Sequence, residues 1–244
     1  MNRGPSAASV SVVVPALNEA DNLPHVFATL PAWIDEVILV DGNSTDDTVA
    51  VAQRLRPDLR VVTQTRRGKG NALTEGFAAA KGDIIVMIDA DGSTDGHEIA
   101  LFVKALIDGA DFAKGSRYVE GGGSDDISPI RSLGNRVLTF ITNSLYGTSY
   151  TDLCYGYNAF WARHLDAMAL DCDGFEIETL MNVRAAKAGL VIREVPSHER
   201  SRIHGESNLH AVRDGWRVLK TIWRERGKAV SVLNGDMLDP CITQ

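Results

Sequence analysis

The chain has 244 residues, of which 44% are hydrophobic and 23% charged, and a formal net charge of -7. That supplies enough apolar side chain for a sizeable core, and the negative balance argues against a protein that lives on bulk nucleic acid while leaving room for a local basic pocket. The three cysteines, Cys154, Cys172 and Cys241, lack metal-type spacing, and neither a secretory leader nor a run of roughly 20 apolar residues is read, so a cytoplasmic location is expected.

Residues 10–14 are a β-branched run stopped by Pro15, which predicts a strand and a turn. Leu23, Val26, Phe27 and Leu30 stand at helical spacing and predict a helix opening at residues 18–22. A second strand over 37–40 ends at Asp41-Gly42, and Ser44 is expected to cap a helix running to Leu55. Residues 60–63 read as a third strand. A basic loop, Arg66-Arg67-Gly68-Lys69-Gly70-Asn71, then precedes a helix to Ala80. A fourth strand over 84–88, a helix from Asp95 or Gly96 to Ile107 and a fifth strand over 110–114 complete the alternation. Nearly all-apolar strands alternating with helices predict an α/β fold with a mostly parallel, Rossmann-like central sheet covered on both faces.

After Tyr118 the rhythm changes. Residues 120–126 read as a flexible Gly-rich loop. The next predicted helix, 132–146, puts Leu133, Val137, Leu138, Ile141 and Leu145 on one side and Arg136, Thr139 and Asn143 on another. The apolar side reads as core, with a membrane surface as the alternative. A strand over 157–161, a helix over 176–188 and a strand over 191–195 follow. A last amphipathic helix, 208–226, is expected to turn Leu209, Val212, Trp216, Leu219 and Trp223 inward. Its Arg213, Arg217, Lys220 and Arg224 would form a solvated face.

In such sheets ligands sit beyond the carboxyl ends of the strands, and three of these ends carry polar residues: Asn18-Glu19, Asp41, and Asp89 with Asp91. Two carboxylates one residue apart repel each other and are costly to desolvate unless a cation joins them. Hard oxygen ligands suit Mg²⁺ or Mn²⁺ bridging to substrate phosphates, and the alternative is a solvated Asp-Gly turn. Lys69, between two glycines at a helix start, reads as an anion site or as a basic turn, and it lacks the spacing of a P-loop. Asp41 reads as an acceptor for a base or ribose, or as a strand-terminating turn. Glu176 and Glu178, at a helix start, read as capping residues, with contact of one of them to the acceptor as the alternative, and His198, His204 and His210 have no zinc spacing.

The ordered set VVVPALNEADNL, EVILVDGNSTDDT, RGKGNA and DADGS resembles family 2 glycosyltransferases of the GT-A fold. GSRY, IRSLGNR, TDLCYGYNAF and REVPSHERSRIHGESN extend the likeness over residues 9–226, nearest to the dolichol- or polyprenyl-phosphate sugar synthases. The resemblance implies a single GT-A domain over 1–230, with a nucleotide-sugar half at about 9–115, an acceptor half at about 116–230, C-terminal amphipathic helices and a tail at 231–244. It implies metal-dependent, inverting transfer from a UDP- or GDP-linked sugar. Pro15, Ala16, Leu17, Glu19, Asp41, Gly68, Lys69, Asn71 and Ala90 would line the nucleotide-sugar pocket, with Asp89 and Asp91 on Mg²⁺ or Mn²⁺. Several relatives carry a Gln two positions after the second Asp, where this chain has Ser93, a weaker ligand.

Arg117 and Arg131 match positions that hold an acceptor phosphate, Asn135 stands where some relatives have Ser, and Arg202 matches a residue that reaches the donor diphosphate. Asp152 matches the acidic position often assigned to catalysis, as a general base for a hydroxyl acceptor or an orienting group for a phosphate. The partners implied are a nucleotide sugar and a polyprenyl phosphate, with peripheral membrane contact on the inner face and a homo-oligomer both open. The alternatives are a soluble hydroxyl acceptor such as a secondary metabolite, a sugar nucleotidyltransferase, and a nucleotide-sugar sensor without turnover.

Overall fold

The computed structural model describes residues 8–206 and 209–227. The tail at 231–244, Cys241 and the expected helix start at Asn208 lie outside the described residues.

The elements run β1 (Val10–Ala16), α1 (Leu23–Thr29), β2 (Glu36–Asp41), α2 (Thr48–Leu55), β3 (Arg60–Thr63), α3 (Lys69–Ala79), β4 (Ile84–Met87), α4 (Ile99–Ile107) and β5 (Phe112–Ser116). They continue with β6 (Gly123–Ser124), α5 (Pro129–Tyr146), β7 (Asn158–Trp161), α6 (Leu165–Met168), α7 (Ile177–Lys187), β8 (Ile192–Pro196), β9 (His198–Glu199) and α8 (Ala211–Arg226). Seven strands form one sheet in the order β3-β2-β1-β4-β7-β5-β8, and β7 alone runs antiparallel to its neighbours. The predicted α/β class with a mostly parallel sheet is the observed one. One core packs under α1, α2 and α4, and the other under α3, α6 and α7. Both faces of the central strands are therefore buried, which is why they are apolar throughout.

Pro15 does not end β1. It pairs with Val40, and the strand continues to Ala16. Val13 accepts from Ile88 on the β4 side, and alternate residues of a parallel strand bond to the same neighbour, so the missing N–H of Pro15 points beyond the end of β4. Helix α1 begins later than expected, at Leu23, because Pro24 suits a first turn and Asn18, at φ 56°, sits in a turn before it. Ser44 does not cap α2: its hydroxyl accepts the Asn18 N–H, and Asp46 takes the Thr48 N–H instead.

Two surface helices depart most from expectation. Helix α5 starts at Pro129, with Ser128 accepting the Arg131 N–H as N-cap, and it ends at Gly147. It buries Asn135, Thr139 and Thr142, while Leu133 and Val137 are exposed together with Ile130 and Phe140. Leu138, Ile141 and Leu145 do pack inward, partly buried against Tyr150, Leu153, Val218 and Ile222. In α8 the expected phase is wrong for Val212, Trp216 and Trp223, which are exposed, while Asp214, Val218, Thr221, Ile222 and Glu225 are buried. The reason is a buried ion cluster: Glu225 takes Arg184 Nε and Nη2 from α7 at 3.0 Å each. The Gly-rich loop is tied down, because β6 pairs with β9.

Candidate active site

The carboxyl ends of β1 and β4 open onto a cavity of about 1150 Å³. Its walls include Pro15, Ala16, Leu17, Glu19, Gly68, Lys69, Asp89, Ala90, Asp91, Arg117, Arg131 and Arg202. Strand β4 closes at Met87, and the chain then turns through Asp89-Ala90-Asp91 to Gly92. Gly92 has φ 78°, and a Cβ there would lie 2.7 Å from Ile203 Cδ1. The turn that displays both aspartates therefore needs glycine, and the 200–206 loop packs directly on it.

Each aspartate already holds a cation. Lys69 Nζ lies 2.6 Å from Asp89 Oδ1 and 2.7 Å from Glu178 Oε1. Burial alone would lower the Lys69 ammonium, but Asp89 and Glu178 together hold it above the ordinary lysine value. Burial pushes the Glu178 carboxyl up, against the pull of Lys69. Glycine makes this approach possible: Gly70 donates to Asp173 O at 2.8 Å, and a Cβ on Gly68 would fall 2.1 Å from that same oxygen. Across the cavity Arg202 Nη1 reaches Glu19 Oε1 at 2.9 Å, and Nη2 lies 3.5 Å from Asp91 Oδ2. Asn22 exchanges hydrogen bonds with the His204 backbone, which holds the loop over Glu19. Burial raises the Glu19 carboxyl, partly offset by Asn22 and Arg202.

The two aspartates suit a divalent ion, since side-chain cations from distant segments already stand at both carboxylates. Among the described residues no group of three or more His, Cys, Asp or Glu forms a metal cage. An ion here would therefore be held by two carboxylates, with oxygens of a bound diphosphate to complete its shell.

Arg117, also on the cavity wall, is buried. Its Nε lies 2.7 Å from Asp152 Oδ2, its Nη2 lies 2.9 Å from Asp152 Oδ1, and its Nη1 lies 3.0 Å from Glu199 Oε2. Asn135 Nδ2 donates to Asp152 at 3.0 Å, and Asn135 Oδ1 receives the N–H groups of Leu153 and Cys154. Asp152 is 0% exposed. Burial by itself would raise its carboxyl, but the Arg117 hydrogen bonds and the charge of Lys114 hold it below the usual carboxylate range. Arg131 is half-buried and pairs with Asp126 at 2.7 Å.

Residues 11–168 match the sequence family described as glycosyl transferase family 2. The chain belongs to that family. The glycosyltransferase AglJ of Haloferax volcanii is 29% identical over 231 residues, covering 90% of this chain and 73% of that protein. An uncharacterised glycosyltransferase of Mycobacterium tuberculosis is 33% identical over 220 residues, covering 86% of this chain and 98% of its own length. The dolichol-phosphate mannosyltransferase of Pyrococcus furiosus is 30% identical over 209 residues, covering 82% of this chain but only 59% of that protein. Among solved structures, glucosyl-3-phosphoglycerate synthase of M. tuberculosis superposes with a TM-score of 0.72 at 26% identity, covering 92% of this chain and 82% of that one. It was crystallised with Mn²⁺, UDP-glucose and glycerol 3-phosphate.

Within this family 2 glycosyltransferase, three residues expected at the site stand behind its walls. Asp41 turns to the Ser44 N–H and caps the end of β2, while Gly42 and Gln64 beside it face the cavity. Asn71 is buried and accepts the Arg66 N–H, which braces the basic loop. Asp152 lies beneath Arg117. Conversely, the cavity wall includes Glu199, Arg213 and Arg217, which the sequence pattern did not place at the site, and Glu178, which it read first as a cap. Glu178 meets Lys69 across 109 residues of sequence, a separation at which no local pattern exists.

Proposed function

We propose that the chain transfers a sugar, with inversion, from a UDP- or GDP-linked donor to the phosphate of a polyprenyl or dolichyl phosphate, using Mg²⁺ or Mn²⁺. One observation carries this reading: a single cavity is lined both by an acidic pair, Asp89 and Asp91, and by Arg117 and Arg131. The Mn²⁺ and UDP-glucose bound by glucosyl-3-phosphoglycerate synthase, and the name of the Pyrococcus relative, support the donor and acceptor classes.

In this reading Asp89 and Asp91 hold the divalent ion, which when bound stabilises charge on the leaving nucleoside diphosphate. Lys69 and Arg202, displaced from the aspartates, donate to the diphosphate oxygens as the glycosidic bond breaks. An acceptor phosphate is already ionised, so its oxygen attacks the anomeric carbon without a base, and Arg131 orients it. Asp152, fully buried and doubly bonded to Arg117, acts as a positioning residue for that guanidinium. Its burial also weighs against a soluble hydroxyl acceptor, which needs an accessible carboxylate. A small phosphorylated acceptor is the second reading, favoured by the glycerol 3-phosphate in the structural neighbour.

The described helices include none long and apolar enough to cross a membrane. We take the protein to be cytoplasmic and to meet the inner membrane surface edgewise. Exposed Ile130, Leu133, Val137 and Phe140 on α5, with Val212, Trp216 and Trp223 on α8, support this reading, as do the basic residues beside them.

The test is transfer of labelled sugar from a panel of UDP- and GDP-sugars to polyprenyl phosphate with Mg²⁺ or Mn²⁺. Metal-dependent, acid-labile lipid product is expected. Transfer only to hydroxyl compounds, or pyrophosphate release from a nucleoside triphosphate and a sugar phosphate, would overturn the reading.

A further inference from the structure

We propose that Arg213 and Arg217, one turn apart on α8, form the entry subsite that captures the phosphate of an amphiphilic acceptor and hands it to Arg131. The inference rests on the reading that the acceptor carries a phosphate. It begins from the charge balance of the cavity. Arg117 is matched by two carboxylates, Asp152 and Glu199; Arg131 is matched by Asp126; and Arg202 is matched by Glu19 and Asp91. Arg213 and Arg217 also line the cavity, yet among the described residues the carboxylate they pair with is the one they share, that of Asp214, at 3.4 Å each. Asp214 is in addition engaged by the His210 N–H at 2.8 Å. On the cavity wall α8 therefore sets two guanidiniums against one carboxylate, and an incoming dianion finds both on one helix face.

The neighbouring stripe of the same helix names the rest of the ligand. Val212 and Trp216 each precede one of the two arginines, are 86% and 58% exposed, and have no core to cover. Leu133 and Val137 add exposed apolar surface on α5, the helix that carries Arg131 and packs against α8. A phosphate held by Arg213 and Arg217 would thus leave its tail beside an apolar surface rather than in water. A small soluble phosphate would gain nothing from that stripe. A lipid-like phosphate monoester satisfies both features, with the arginines binding the head and the apolar stripe the tail.

The test uses the full chain and Arg213→Gln/Arg217→Gln, at positions exposed enough for the fold to be retained, as checked by thermal unfolding. Binding is measured by calorimetry with farnesyl phosphate, farnesol and inorganic phosphate, and KM is measured for farnesyl phosphate and for the sugar nucleotide. The double variant should lose about tenfold in farnesyl phosphate affinity and raise the acceptor KM by a similar factor. The donor KM and farnesol binding should stay unchanged, and Arg213→Lys/Arg217→Lys should recover part of the loss. Equal affinity for inorganic and farnesyl phosphate in the native chain would overturn the amphiphile assignment. An unchanged acceptor KM in a variant whose parent transfers to farnesyl phosphate would overturn this inference and leave the proposed function standing. A native chain that neither binds farnesyl phosphate nor transfers to it would overturn both.

Discussion

The Lys69 ammonium stands 2.6 Å from Asp89 Oδ1 and is steadied from behind by Glu178 at 2.7 Å. An internal cation thus occupies the position that a divalent ion and a diphosphate would contest. Arg202 does the same at Asp91 and Glu19. Both carboxylates are thereby paired, and under the proposed function ligand loading would be an exchange of partners rather than a filling of bare charge.

Replacing Asp89 or Asp91 with Asn should abolish Mn²⁺-dependent donor binding. We expect a loss of about 100-fold or more in Mn²⁺ affinity by paramagnetic resonance titration, with the fold intact. Nucleotide-sugar affinity that is equal with chelator and with Mn²⁺, in native chain and variants alike, would contradict the assignment.

Lys69→Met strands the buried carboxylate of Glu178 without its partner. The single variant should lose about 3 kcal/mol of stability, as broken buried pairs do, and Lys69→Met/Glu178→Gln should recover much of it. Urea unfolding of the four members of this cycle measures the coupling, and additive effects would show that the pair is energetically unimportant.

Asp152→Asn distinguishes anchor from base. Loss of the anchor loosens Arg117, so the acceptor KM should rise and kcat fall only in part, while a base would take nearly all of kcat with it. Sugar transfer assayed over a range of acceptor concentrations decides between them.

The same residue sets a pH dependence. The Asp152 carboxyl is held below its ordinary value of 3.8, so its contribution to stability is fully present above that value. It is lost as pH falls through the lower folded-state pKa. The stability gap between the native chain and Asp152→Asn should therefore be full near neutrality, begin to narrow below about pH 4 and vanish only below the folded-state value. A gap that stays constant in acid would mean the carboxylate charge is not what Arg117 uses.

Polar replacement of the exposed apolar residues Phe140, Trp216 and Trp223 should leave the thermal midpoint within a few degrees, because none of them is buried. Sedimentation with anionic vesicles should fall sharply in the same variant. Unchanged sedimentation would remove the membrane face from the account.

The primary structure alone determined the alternating sheet, because strands buried on both faces must be apolar end to end, and such runs are visible without any partner. It also determined the acidic turn after β4 and the glycines around Lys69, since a sharp turn and a close backbone approach require particular residues at particular positions. The inward faces of α5 and α8 were decided only by tertiary structure. Asn135, Asp214 and Glu225 are polar, yet each is buried. Asn135 satisfies Asp152 and two backbone N–H groups, Glu225 takes Arg184, and Asp214 holds the first turn of its own helix. Burial of a polar group is favourable only where its hydrogen-bonding partners wait, and for Asn135 and Glu225 those partners lie on other segments of the chain. The same long-range pairing brought Glu178 to Lys69 and set Asp152, expected as a general base or an orienting group, in the interior against Arg117.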